Sequence, residues 1–182
     1  MRTEASALQQ RFFLLPLRSG KEEGESLHCL FTQNQVVEVL GQRPVSPVPF
    51  CERYLTGFIL FRGHAVPVVD VNALLGGEKH QIGQARQLLV MRTGQRDPES
   101  GEYLHLAFVS TGNVLTFKLT ERDAAQVQDG GEVPADLEDQ GLARGYFRLR
   151  GNRVVVLDFD QVALGQVHSA DDAENKEKPF VW

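Results

Sequence analysis

Apolar residues along the chain come in short runs separated by glycine, proline and polar clusters, and no stretch holds a helical period for long. Phe12–Leu17, Leu27–Phe31, Val36–Leu40, Phe58–Phe61, Ala65–Val69, Leu88–Met91, Leu104–Val109, Val114–Leu119, Tyr146–Leu149 and Val154–Leu157 have the length and the β-branched and aromatic content of strands. Ten such runs with turn residues between them predict an all-β barrel or sandwich. Two brief helical segments, Val71–Leu75 and Asp160–Leu164, each follow a strand directly and each stop at a glycine, Gly76 and Gly165.

The pattern repeats. Gly57 to Val71 aligns without gaps to Gly145 to Phe159, with Gly57/Gly145, Arg62/Arg150, Gly63/Gly151, Val66/Val154, Val68/Val156 and Asp70/Asp158 identical at a constant offset. Each copy reads as strand, tight turn, strand and short helix. Gly63 and Gly151 fall where a two-residue hairpin turn needs positive φ. Asp70 and Asp158 stand just before the helices, where a carboxylate can accept hydrogen bonds from the first-turn N–H groups. The repeat predicts one unit over residues 11–164 made of two similar β subdomains, about 11–92 and 93–164, sharing one core because the strands are too short for two. Ser19–Ser26 and Thr93–Gly101, charged and glycine-containing, read as hairpin loops. Residues 165–182 read as a flexible polar tail.

Composition narrows the function. The 182 residues are 42% hydrophobic and 24% charged, with a net charge of −5. That acidic balance lacks the footprint of a nucleic-acid binder, and it opposes adsorption to an anionic membrane. The longest run free of Asp, Glu, Lys and Arg, Tyr103–Phe117, is short of a membrane helix and dotted with polar residues. With no apolar leader near Met1, a cytoplasmic location is expected. Cys29 and Cys51, flanked by apolar residues, suit buried free thiols better than a disulfide or zinc site.

Catalytic motifs are missing: no G-x-S-x-G elbow, P-loop, G-x-G-x-x-G after a strand, or H-E-x-x-H occurs. His28, His64, His80, His105 and His168 are spaced too widely for local metal ligation. No enzyme, cofactor or metal is therefore expected. Equivalent positions in a repeat give Asp70 and Asp158 equivalent capping roles rather than an acid/base pair. Arg62 and Arg150 are either solvated turn residues or interface arginines. Phe180 and Trp182, at the end of a polar tail, either pack inertly or form a short docking motif.

The segment Tyr54 to Val71, with glycine, an apolar strand, Arg62-Gly63 and an apolar run through Pro67 to Asp70, resembles the signature of CheW-like domains. Val36–Leu40 is similar to the family's Val-x-Glu stretch, and Gly145–Asp158 to its last hairpin. The likeness spans about residues 11–164. It implies two pseudo-equivalent five-stranded, SH3-like β subdomains and a non-catalytic adaptor. Such adaptors couple the cytoplasmic tip of a chemoreceptor to the regulatory domain of a CheA-type histidine kinase, and are recruited to membrane receptor arrays. Carried over by position, Glu38 and Arg62, with the neighbouring Val36, become candidate partner contacts. Gly57, Gly63 and Asp70, with Gly145, Gly151 and Asp158 in the second copy, become structural supports. Two pathways fit the resemblance: flagellar chemotaxis, and a related system controlling type IV pili and twitching. A scaffold that recruits another protein without a kinase, and a small β-barrel enzyme with an assembled site, are the rival functions. Nothing in the sequence sets the oligomeric state.

Overall fold

The computed structural model describes residues 11–19, 26–81, 86–120, 123, 125–132 and 141–163. The chain runs β1 (Arg11–Ser19), β2 (Ser26–Thr32), β3 (Val36–Gly41), β4 (Leu55–Phe61), β5 (His64–Val69), α1 (Val71–Leu74), β6 (Gln87–Arg96), β7 (Tyr103–Ser110), β8 (Leu115–Lys118), β9 (Gln128–Asp129), β10 (Ala143–Leu149), β11 (Asn152–Leu157) and α2 (Phe159–Ala163). The tail, with Phe180 and Trp182, lies outside the described residues, as do 20–25 of the first expected loop.

Two sheets form, in the orders β8-β1-β2-β11-β10-β9 and β3-β6-β7-β5-β4. Their shared plan is a hairpin joined in parallel to a second hairpin, which is flanked by a lone antiparallel strand. In the five-stranded sheet, β4–β5 joins β6–β7 through parallel β5 and β7, and β3 flanks β6. In the other sheet, β10–β11 joins β1–β2 through parallel β11 and β2, and β8 flanks β1. The correspondence is permuted along the chain, because β1 and β2 precede everything else in their sheet. The sheets therefore do not divide the chain at 92/93, which falls inside β6. Strands β1, β2 and β8 to β11 build one sheet, and β3 to β7 the other.

The core explains why so many runs are apolar throughout. Leu88, Val90, Ala107 and Val109 belong to a cluster with Ile59, Val66 and Val68 on one face of the five-stranded sheet. Their neighbours Leu89, Met91, Leu106 and Phe108 face the other way, into the large cluster shared with Leu15, Cys29, Phe31, Val155 and Leu157 of the second sheet. Strands buried on both faces lose the polar alternation of a surface strand. In that shared cluster Phe31 stacks on both Phe108 and Phe159, which meet each other at a tilt, with centroids 4.5–5.7 Å apart. Leu89 is fully buried there, so truncation to alanine would cost about 2–5 kcal/mol.

Three local expectations are corrected. An eleventh strand, β9, pairs with Phe147 and Arg148 as a sixth member of its sheet. Its two polar residues gave no apolar signal. Residues 93–96, expected in a loop, continue β6 beyond a register shift, held by the Thr93 hydroxyl donating to the Leu104 carbonyl at 3.0 Å. Cys29 is buried, but Cys51 is only half-buried, its thiol directed at the Val48 and Leu55 carbonyls.

Candidate protein-interaction site

Both repeated hairpins turn on Arg-Gly with positive φ at both central residues: Arg62 at 50° and Gly63 at 87°, Arg150 at 50° and Gly151 at 78°. This is the mirror-image turn whose twist matches the strands, and it holds an arginine in the left-handed region that non-glycine residues seldom occupy. The turn projects Arg62 away from the sheet. Its guanidinium donates to Glu38 Oε2 at 3.1 Å and lies 4.9 Å from the Phe61 ring centroid.

Glu38 reaches that place because β3 carries a bulge between Val36, opposite Met91, and Glu38, opposite Val90. Val36 and Val39 pack against the shared core, while Val37 and Leu40 face the other cluster. The extra residue leaves the carboxylate of Glu38 at the surface. The Arg62 and Glu38 side chains are 66% and 43% exposed. An ion pair that open contributes under about 1 kcal/mol, so either partner can exchange it for an intermolecular one at small cost.

Two apolar side chains are also exposed. Leu60, two residues before Arg62, is 74% exposed on β4, an edge strand of its sheet, and Phe50, in the loop between β3 and β4, is fully exposed. Neither was singled out in the sequence. The signal for Leu60 was available: strict alternation puts it on the face opposite Ile59 and Phe61. Phe50 left no such trace, because its exposure follows from a loop residue held at φ 56°.

A cavity of about 500 Å³ opens where the two sheets meet, lined among others by Gln35, Met91, Arg144, Leu157, Phe159 and Asp160. Its walls are fixed by links between α2 and the five-stranded sheet: the Gly94 amide donates to Asp160 Oδ1 at 2.7 Å, and Phe159 packs at a tilt against Phe108. Arg144 holds Asp158 through Nε at 3.0 Å and a second, shorter hydrogen bond. That guanidinium, more than the Gln161 and Asp160 hydrogen bonds, keeps the Asp158 carboxyl below the usual carboxylate range.

The remaining candidate positions have structural surroundings. Asp70 is fully buried and accepts from the amides of Asn72 (3.0 Å), Ala73 (3.3 Å) and His80 (2.6 Å), with the His80 ring 3.1 Å away. It caps α1 and pins the chain that follows. Asp158 accepts from the Asp160 amide at 3.1 Å ahead of α2. Gly57, at φ 150°, faces the carbonyl of Ser46 so closely that any Cβ would collide with it, whereas Gly145 has room. His64 contacts Glu102 at 3.7 Å, and burial lowers the His105 pKa. Among the described residues, no group of three or more His, Cys, Asp or Glu is placed to hold a metal ion. Nor is any helix among them long and apolar enough to cross a membrane.

Comparisons with known proteins agree with this geometry. The CheW-like domain family matches residues 18–166. The chain is 26% identical over 127 residues to the chemotaxis protein CheW of Rhizobium meliloti (strain 1021), covering 70% of this chain and 74% of that one. Its fold is similar to that of the scaffolding protein TtCheW from Thermoanaerobacter tengcongensis, with a TM-score of 0.55 at 15% identity, over 82% of this chain and 88% of that one. Two permuted β subdomains around a shared core, each with an Arg-Gly hairpin, thus go with a family match over most of the sequence: the chain belongs to the CheW-like domain family.

Proposed function

We propose that the protein is a non-catalytic adaptor in chemotaxis signalling that joins the cytoplasmic tip of a chemoreceptor to the regulatory domain of a CheA-type histidine kinase. Family membership and the name of the curated relative support the chemotaxis role. The observation that carries the coupling role is the exposed Glu38–Arg62 pair beside Leu60, on a strand at the edge of its sheet. Charged residues at the rim and an exposed leucine next to them fit a modest, exchangeable protein contact. The cavity between the sheets, walled by Met91, Leu157 and Phe159, offers a second contact for a helical receptor segment. Two faces of one rigid unit would then hold two partners in a fixed relation, and multivalency in an array would strengthen each weak contact.

The test is binding of the purified chain to a cognate CheA regulatory domain, wild type beside Arg62→Glu. The expected result is saturable binding, weakened at least tenfold by the charge reversal, with an unchanged circular dichroism spectrum. Binding untouched by the reversal would move the contact toward Val36–Leu40. Failure to bind the kinase domain would overturn the coupling role.

A further inference from the structure

The cavity between the sheets is one end of a longer trough. Tyr103, at the start of β7, lines that cavity and also the two hollows beyond it, one beside Phe61 and Arg62 and one reaching Ala163. The Tyr103 ring is covered by two guanidinium groups, Arg96 at 3.9 Å and Arg92 at 4.6 Å from its centroid.

The charges along this trough do not cancel evenly. Arg62 is paired with Glu38, Glu102 lies 3.7 Å from His64, which balances its charge only when protonated, and Asp160 accepts from the Gly94 amide. The Asp97 carboxylate is taken up by the Glu99 and Ser100 amides and the Ser100 hydroxyl. Arg92 and Arg96 instead donate to the backbone carbonyls of Asn34 and Gly101. Among the described residues neither has a carboxylate partner. Two guanidinium groups without a carboxylate partner thus flank the Tyr103 ring, Arg92 as part of the trough's lining and Arg96 over the ring, which fits an occupant that brings both carboxylates and aromatic rings to this spot.

Such an occupant exists in the same chain. Ala163, which lines the trough, is the last described residue, and the 19 residues after it include Asp171, Asp172, Glu174, Glu177, Phe180 and Trp182. Sixteen residues lie between Ala163 and Phe180, and a partly extended chain of that length spans tens of ångströms. A tethered segment needs little intrinsic affinity, because its effective concentration is of the order of millimolar. We infer that residues 164–182 dock back into the Tyr103 trough, with their carboxylates on Arg92 and Arg96 and their terminal aromatic residues in the hollow beside His105. The docked segment lies next to Arg62 and competes with any partner that uses that face. This last consequence rests on the adaptor role proposed above, whereas the docking itself does not.

Trp182 is the only tryptophan in the chain, so its emission reports the docking directly. The full chain is compared with a synthetic peptide of residues 165–182, and with Arg92→Glu/Arg96→Glu and Tyr103→Ala variants of the full chain. Docking predicts emission blue-shifted from that of the peptide and an acrylamide quenching constant several-fold lower. Both values should return toward the peptide's in the variants, with far-ultraviolet circular dichroism unchanged. Arg92 and Arg96 are exposed, so the charge reversal serves even if Tyr103→Ala folds poorly. Peptide-like quenching in the wild-type chain would overturn the inference. So would protected emission that the charge reversal leaves unmoved, since the tryptophan would then be packed elsewhere.

Discussion

The hairpins β4–β5 and β10–β11 share a register, a bulge, an Arg-Gly turn and a following capped helix, yet their equivalent residues carry different loads. Arg62 holds an exposed, single-contact pair with Glu38. Arg150 makes a two-pronged pair with Asp123, at 2.7 and 2.8 Å, over the Phe117 ring. Asp70 is fully buried under three amides and a histidine, while Asp158 is partly exposed and shares its charge with Arg144. Gly57 is pressed against Ser46 and Gly145 is not. A duplicated motif preserves what its own backbone needs, and its neighbours decide everything else. The second hairpin commits its half-exposed arginine to a two-pronged pair within the fold, and the first leaves its arginine in a single, exchangeable contact.

Substitutions at paired positions break this comparison most sharply at the glycines. Gly57→Ala should cost on the order of 3 kcal/mol or more, because it adds a collision to a φ that alanine rarely adopts. Gly145→Ala should cost under about 1 kcal/mol. Urea unfolding of the two variants measures both, and equal losses would show that the repeat constrains the backbone alike in each copy.

The caps come next. Asp70→Ala strands several buried N–H groups and should cost about 3 kcal/mol, against about 1 kcal/mol for Asp158→Ala, whose surroundings admit water. Thermal melts of the pair decide the order.

Acid separates the halves in another way. Hydrogen bonds from Arg150, then from Thr120, hold the Asp123 carboxyl well below its ordinary value of 3.8. A depressed folded pKa contributes stability that is present above the unfolded pKa and lost as pH falls through the folded one. Unfolding free energy should therefore drop as pH falls below about 4, and the drop should be shallower in Asp123→Asn, as chemical denaturation across that range would show.

The smallest effect is expected at Arg62 itself. Arg62→Ala should change stability by less than about 0.5 kcal/mol, while Arg150→Ala should lower the midpoint of thermal unfolding measurably. A large loss at Arg62 would mean that its exposed pair supports the fold and is not free to be exchanged.

Much of the fold was legible because its signals are local. The strand runs at Leu88–Met91 and Leu104–Val109 are apolar on both faces, and the duplicated Arg-Gly turns mark their hairpins by φ requirements that few residues meet. The pairing of Glu38 with Arg62 was not legible. It depends on a bulge in β3, which no local pattern encodes, and on that bulge arriving beside a turn 24 residues away. The continuation of β6 to Arg96 was hidden for a similar reason, since Thr93 to Arg96 read as loop residues until Thr93 and Tyr103 are seen to anchor them.

The sequence by itself determined the β class, the two hairpins, the capped helices and the family, because periodicity, turn chemistry and capping act over a few residues. Tertiary structure alone decided how the strands were shared. Parallel pairing of β2 with β11 and of β5 with β7 joins segments whose contacts are set by a common core rather than by neighbours in the chain. The same long-range packing exposed Leu60 and Phe50, buried Asp70, and left Arg62 at the surface while its twin was held by Asp123. Burial and charge pairing depend on which distant element arrives beside a residue, and only the folded chain specifies that.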